Sequence, residues 1–143
     1  MKPKHFRYPK KIKTVGDEVR AARIDRGLRQ WDADDSVGAH RGFCNELEMG
    51  YRRNTIYVLH KAYKFLGHIP RTLSLNEETG PGKLYAHRIS NGYPLSKAAS
   101  NIGLDKSTIS RYEQGKAINK VSLSKILAYL ERIEEVLSSE SNY

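Results

Sequence analysis

Six cations crowd the first thirteen residues: Lys2, Lys4, Arg7, Lys10, Lys11 and Lys13, with Phe6 and Tyr8 between them. Such a run can neutralise phosphates and gain affinity by releasing condensed counterions, and an arm of this kind can also reach into a minor groove. The plainer alternative is a solvated tail, and composition alone does not separate a nucleic acid from an anionic membrane surface. A second pair with chemical reach is His40 and Cys44, four residues apart and able to share one side of a helix. A metal site needs further ligands and no paired Cys or His stands nearby, so a polar cap and a core thiol are the simpler roles. No phosphate-cradling glycine loop and no nucleophile elbow is present. Binding rather than catalysis is expected, with no catalytic residue, cofactor or metal.

The 143 residues carry 25 Lys/Arg against 16 Asp/Glu, a net charge of +9 that points to a polyanionic partner. The excess is uneven: residues 1–75 hold 16 cations and 8 carboxylates, residues 76–143 hold 9 and 8. A hydrophobic share of 38% suggests modest cores, and two helical units of about 60 residues each can fold on that basis. No apolar run approaches the roughly 18 residues of a membrane span, and the basic N-terminus lacks the apolar core of a secretory signal. Cys44, the only cysteine, has no internal disulfide partner, which fits a reducing, cytoplasmic setting.

The elements that must position these groups repeat at an offset of 65: Thr14 with Thr79, Ala21 with Ala86, Arg23 with Arg88, Ile24 with Ile89, Gly27 with Gly92, Ala33 with Ala98, Gly38 with Gly103, Glu48 with Glu113 and Gly50 with Gly115. The spacing Arg-x3-Gly-x10-Gly-x9-Glu-x-Gly, kept twice, reads as two copies of one unit. In the first copy Thr14 caps a helix with Val15, Val19 and Ala22 on one face, ended by Gly27. A second helix is expected over about Gln30 to Val37 and a third over about Arg41 to Met49, followed by a periodic stretch from Ile56 to Leu66. In the second copy Thr79 caps a helix with Pro81 in its first turn that runs to about Asn91. Pro94 then opens a helix closed by Gly103, and Asp105 caps a third carrying Lys106 to Tyr112. The expected plan is an arm over 1–13, a first domain over 14–67, a linker over 68–78, a second domain over 79–137 and a tail over 138–143. Eleven linker residues can extend roughly 35 Å, about one turn of DNA.

The stretch Gly103-Leu104-Asp105-Lys106-Ser107-Thr108-Ile109-Ser110-Arg111-Tyr112-Glu113-Gln114-Gly115 resembles the turn and recognition helix of the Cro and phage-repressor helix-turn-helix family. Gly38 to Gly50 keeps the same frame, and the resemblance spans about 110 residues. It implies an all-α protein of two tandem lambda-repressor-like helix-turn-helix domains, four or five helices each. In this family the second helix sits on the DNA backbone and the third enters the major groove. Carried over, Lys106, Ser107 and Arg111 face base edges, as do Arg41, Asn45 and Glu46 in the first copy. Gln30 and Thr108 meet phosphates beside the arm cations. The pairs Arg23–Glu48 and Arg88–Glu113, each 25 apart, take the place of the family's structural ion pair.

Five positions depart from the family pattern, two of them Phe43 and Cys44, which replace the usual small polar and branched residues. Asp34 stands where a small buried alanine is usual, Leu95 replaces the glutamine that opens helix 2, and Gly42 inside a third helix costs about 1 kcal/mol relative to alanine. After Ser122, Leu123, Ile126, Leu130, Ile133 and Leu137 are spaced three and four apart. Leu123 to Leu130 can close the second core, while Leu130, Ile133 and Leu137 offer a seam for a homodimer. The expected function is a double-stranded-DNA-binding regulator, prokaryotic or phage-borne, cytoplasmic and nucleoid-associated, repressing by occupying an operator. The alternative is an antitoxin, accessory or architectural component whose first domain serves protein contacts.

Overall fold

Thr14 and Thr79 each satisfy the open end of a helix with a hydroxyl. In a computed structural model, which describes residues 7–141 and the side chains of 7–137, the Thr14 hydroxyl accepts from the Asp17 N–H at 3.1 Å. The Asp17 carboxylate accepts in return from the Thr14 N–H at 3.1 Å, a reciprocal capping box. The Thr79 hydroxyl accepts from the Gly82 N–H at 3.1 Å. Lys2 and Lys4 lie outside the described residues.

The described secondary structure is helical: α1 (Val15–Asp25), α2 (Gln30–Ser36), α3 (Phe43–Glu48), α4 (Ile56–Leu66), a 3-10 turn (Arg71–Leu73), α5 (Gly80–Asn91), α6 (Leu95–Ile102), α7 (Lys106–Glu113) and α8 (Lys120–Ser141). The chain divides between Ser74 and Leu75 into two compact units. Helix starts at Val15 and Gly80, and at Gln30 and Leu95, keep the offset seen in the sequence. None of the described helices is long and apolar enough to cross a membrane.

In the first unit the fully buried Leu59, with Val58 and Ala62, turns one side of α4 inward beside Val15, Val19, Phe43 and Leu47. Gly16 sits where α1 meets the end of α3, and a Cβ there would collide with the Leu47 carbonyl. In the second unit Leu84, Ala98, Ala99, Ile102, Ile109, Tyr112, Ile126 and Leu130 form one cluster drawn from all four helices. Each fully buried aliphatic side chain there contributes about 1.5–3 kcal/mol relative to exposure.

Several expectations change in three dimensions. The helix expected from Arg41 begins only at Phe43, because Gly42 adopts φ +100°, a left-handed conformation that favours glycine. Gly42 is therefore outside the helix, and the mid-helix penalty does not arise. The cause is Asp34, 1% exposed, whose carboxylate accepts from the Gly42 N–H at 3.0 Å and the Cys44 N–H at 2.7 Å. An acid in an alanine's place thus caps α3 from a neighbouring helix.

Within the stretch 68–78, expected to link, residues up to Ser74 belong to the first unit. Pro70 is buried. The Glu18 carboxylate accepts from the Arg71 and Thr72 N–H groups at 2.8 and 3.0 Å and from the Thr72 hydroxyl at 2.5 Å. That segment is not a free tether, and the extended reach of eleven residues does not apply. Asp105 occupies the cap position of α7, but its side chain makes no capping bond. Leu123, expected to close the core, is exposed, and Ser122, Ile126 and Leu130 face inward instead. Leu130 is thereby withdrawn from the expected dimer seam and Ile133 packs against the same core, while Leu137 stays exposed.

Asp34→Ala, the residue type the family pattern calls for, is expected to destabilise the first unit by about 1–3 kcal/mol, since two N–H groups lose their acceptor. Asp34→Asn, which keeps one acceptor oxygen, should cost less. Urea unfolding followed through the fluorescence of Trp31, the single tryptophan, measures this directly. An unchanged midpoint for the alanine variant would show that the carboxylate does not hold α3.

Candidate nucleic-acid interface

The outward face of α7 is set by what the inward face buries. Ile109 is 0% exposed and Tyr112 8%, so the helix cannot rotate without withdrawing both from the core. At 100° per residue the opposite face carries Ser107, Ser110, Arg111 and Gln114, with Lys106 on its flank three residues before Ile109. Lys106, Ser107, Arg111 and Gln114 are exposed and Ser110 and Thr108 half-buried. Arg111 donates to the Ala117 carbonyl at 3.3 Å, a long bond from an exposed side chain, and Gln114 donates to the Ser110 hydroxyl at 2.9 Å. The face therefore offers two cations and hydroxyl and amide groups, a set suited to phosphate oxygens and base edges.

An ion pair locks α7 against α5. Arg88, 6% exposed, donates two parallel bonds to Glu113 at 2.8 and 2.7 Å, and a third to the Tyr93 carbonyl at 3.1 Å. The first unit repeats the arrangement with Arg23, which bonds Glu48 twice at 2.9 Å and the Leu28 carbonyl at 2.9 Å. There Glu48 also accepts from Arg20 at 2.9 Å and from the Cys44 thiol at 2.8 Å. Arg20 was not foreseen, although its place one turn before Arg23 puts it on the same face of α1.

Burial acts to raise the Glu48 carboxyl, but the hydrogen bonds from Arg23, Cys44 and Arg20 outweigh it and hold it below the ordinary glutamate range. Burial and the neighbouring Glu48 push the Cys44 thiol well above its ordinary value. The thiolate form is thus strongly disfavoured, which makes Cys44 a poor nucleophile and a poor metal ligand. His40 is exposed, with Arg52 at 3.2 Å and Glu46 at 3.7 Å. Among the described residues no group of three or more His, Cys, Asp or Glu is placed to hold a metal ion.

Residues 84–136 match the model of the helix-turn-helix family. The second unit is a helix-turn-helix domain. The match runs from within α5 into α8, includes all of α6 and α7, and leaves the first unit outside it. Lys106, Ser107, Thr108 and Arg111 all fall inside the matched segment. No curated protein and no solved structure matches the chain.

Beside this helix-turn-helix domain the first unit offers a different surface. On the six-residue α3, Phe43, Cys44, Leu47 and Glu48 are buried, so Asn45 and Glu46 alone face outward. Glu46 accepts from Arg52 at 2.7 Å, and Asn45 accepts from Gln30 at 3.4 Å. Arg41 precedes α3 and lies over the ring of Trp31, 4.7 Å from its centroid. Arg7, Lys10, Lys11 and Lys13 are exposed ahead of α1.

Because the folded state lowers the Glu48 pKa, the stability it brings is full above the ordinary glutamate range and is lost as the pH falls through the folded value. The melting temperature of the first unit, read from Trp31 fluorescence, is expected to drop as the pH falls below the ordinary glutamate range. Glu48→Gln should be less stable at pH 7 and should lose most of that pH dependence. A variant as acid-sensitive as the parent would assign the effect to other carboxylates.

Proposed function

We propose that the chain is a sequence-specific regulator that binds double-stranded DNA, represses by occupying an operator, and acts in the cytoplasm at the nucleoid. The observation that carries this reading is the exposed face of α7, where Lys106, Ser107 and Arg111 stand together inside a helix-turn-helix domain. In this reading α6 rests on the DNA backbone and α7 enters the major groove. Arg111 gives up its long bond to Ala117 and donates two bonds to a guanine edge. Lys106 and Ser107 read neighbouring bases, and Thr108 helps to hold the backbone.

The first unit is, in this reading, a divergent second copy of the same domain. Its support is the matched helix order, the twin ion pairs Arg23–Glu48 and Arg88–Glu113, and the shared left-handed glycines Gly27 and Gly92, Gly38 and Gly103, Gly50 and Gly115. Gln30 and the arm cations Lys2, Lys4, Arg7, Lys10, Lys11 and Lys13 serve phosphates, and the exposed Asn45 on α3 exchanges its long bond from Gln30 for a base edge. Two modules on one chain raise the effective concentration of the second once the first has bound.

One observation favours the other reading, an accessory or architectural component. Glu46 is tied to Arg52, so the first unit's third helix presents little that discriminates bases. A homodimer through the end of α8 would rest on Val136 and Leu137, since Leu130 and Ile133 are engaged in the core. Light scattering at micromolar concentration distinguishes a dimer from a single chain.

Selection of bound duplexes from a random pool is the direct test. A regulator should enrich one site and prefer it by roughly 10³-fold or more over scrambled DNA, and a sequence-blind pool would leave the architectural reading. Arg111→Ala is expected to weaken the selected site by about 1–3 kcal/mol while leaving scrambled DNA nearly unaffected. Equal losses on both would place Arg111 on the backbone. Removal of residues 2–13 should flatten the dependence of affinity on salt, because fewer counterions are released. A slope equal to that of the full chain would make the arm a bystander.

A further inference from the structure

Trp31 stands at the second position of α2 with 40% of its surface exposed, and two arginines from different segments converge on it. The Arg29 guanidinium lies 4.4 Å from the ring centroid and the Arg41 guanidinium 4.7 Å. Arg29 comes from the residue before α2, Arg41 from the turn before α3. A groove of about 370 Å³ opens beside them, lined in part by Arg7, Arg29, Gln30, Trp31 and Asn45. The carboxylate on its floor, Asp34, is engaged by the Gly42 and Cys44 N–H groups. Asp32 accepts from the Arg29 N–H at 3.0 Å and from its guanidinium at 3.2 Å, and the Arg29 side chain remains 70% exposed.

Stacking suits a guanidinium to anion binding. Its donors lie in the molecular plane, so a group laid on an indole face keeps its outer edge directed at solvent while losing rotamer freedom before any ligand arrives. Two bidentate donors held in this way cost less entropy to fix on a pair of oxyanions than two freely moving side chains. An acid such as Asp32, at the surface, is a partner that a phosphate can displace at little cost.

We propose that Arg29, Trp31 and Arg41 form a preorganised clamp for the phosphate backbone of duplex DNA, with Gln30 and Asn45 completing the groove. This rests on the DNA-binding reading above and assigns Arg41 to the backbone instead of a base edge, because Arg41 lies ahead of α3 and not on it. Trp31 acts as a positioning residue. The duplex is favoured over single-stranded nucleic acid because two guanidinium groups already lie over the indole ring on which an unpaired base would stack.

The test uses the full chain, a random-sequence duplex of about 20 base pairs and a single strand of the same length, with Trp31 emission and duplex anisotropy read together. Duplex binding is expected to change Trp31 emission. Arg29→Ala and Arg41→Ala should each weaken all duplexes alike and lower the slope of log affinity against log salt by about one. Arg41→Lys, which keeps the charge but not the planar fork, should retain the slope and lose several-fold in affinity. Trp31→Leu should also lose several-fold, with a melting temperature near the parent's showing that the unit still folds.

Unchanged slopes in both alanine variants, with duplex binding intact, would overturn the clamp and leave the regulator reading standing on α7. Tighter binding of the single strand with strong Trp31 quenching would overturn it in favour of base stacking. A full chain that binds no duplex would sink the clamp and the regulator reading together.

Discussion

A buried carboxylate–guanidinium pair holds the first helix of each unit to the end of its third. Arg88 meets Glu113, and Arg23 meets Glu48, each through two bonds. The remaining donor of each arginine goes to a carbonyl just past the end of its own helix, Tyr93 in one unit and Leu28 in the other. The first helix, the turn that follows it and the end of the third helix therefore share one bonded node. A pair of this kind adds little net stability, because desolvation offsets most of the attraction, but removing one partner strands a charge. What it secures is orientation. With Ile109 and Tyr112 anchored in the core, the pair leaves α7 one way to lie, and that fixes which side chains face outward.

The first unit carries the same node with added polar partners, and each addition is satisfied. Arg20 and Cys44 join Arg23 on Glu48, Asp34 caps α3, and Glu18 grips the chain beyond α4. Among the described residues no buried side-chain nitrogen or oxygen lacks a partner. That explains how an acid can occupy the place corresponding to Ala99 in the second unit. The exchange alters the surface as well as the interior. Capping by Asp34 and the left-handed turn at Gly42 start α3 two residues later than the corresponding α7, and Arg41, aligned with Lys106, falls off the helix onto Trp31.

The two units thus present unlike faces from similar frames. The second presents an eight-residue helix with cations and hydroxyls on its outer side. The first, which holds most of the net charge, presents arginines gathered at Trp31 and mostly lysines along the segment before α1. The proposed division between a unit that discriminates bases and one that grips the backbone rests on these faces and on the uneven distribution of charge in the sequence.

Much of the frame was legible from local pattern. Thr14 and Thr79 as caps, the ends of helices at Gly27 and Gly103, and the apolar spacing of α4 depend on residues within a turn or two of one another, so they can be read along the chain. The match to the helix-turn-helix family likewise falls on the segment whose motif stood out. The start of α3, the engagement of residues 68–74 by Glu18, the inward turn of Leu130 and the stacking of Arg41 on Trp31 were not legible. Each depends on groups brought together from separate elements. Whether a buried acid finds donors, or a cation finds an aromatic face, is a property of packing, and the sequence carries no local signal of it. Sequence alone determined the helices, their repeat and the charge they bear; tertiary structure decided which polar groups are spent inside and which remain at the surface, because burial makes every unpartnered polar atom costly and lets only the assembled fold choose the partners.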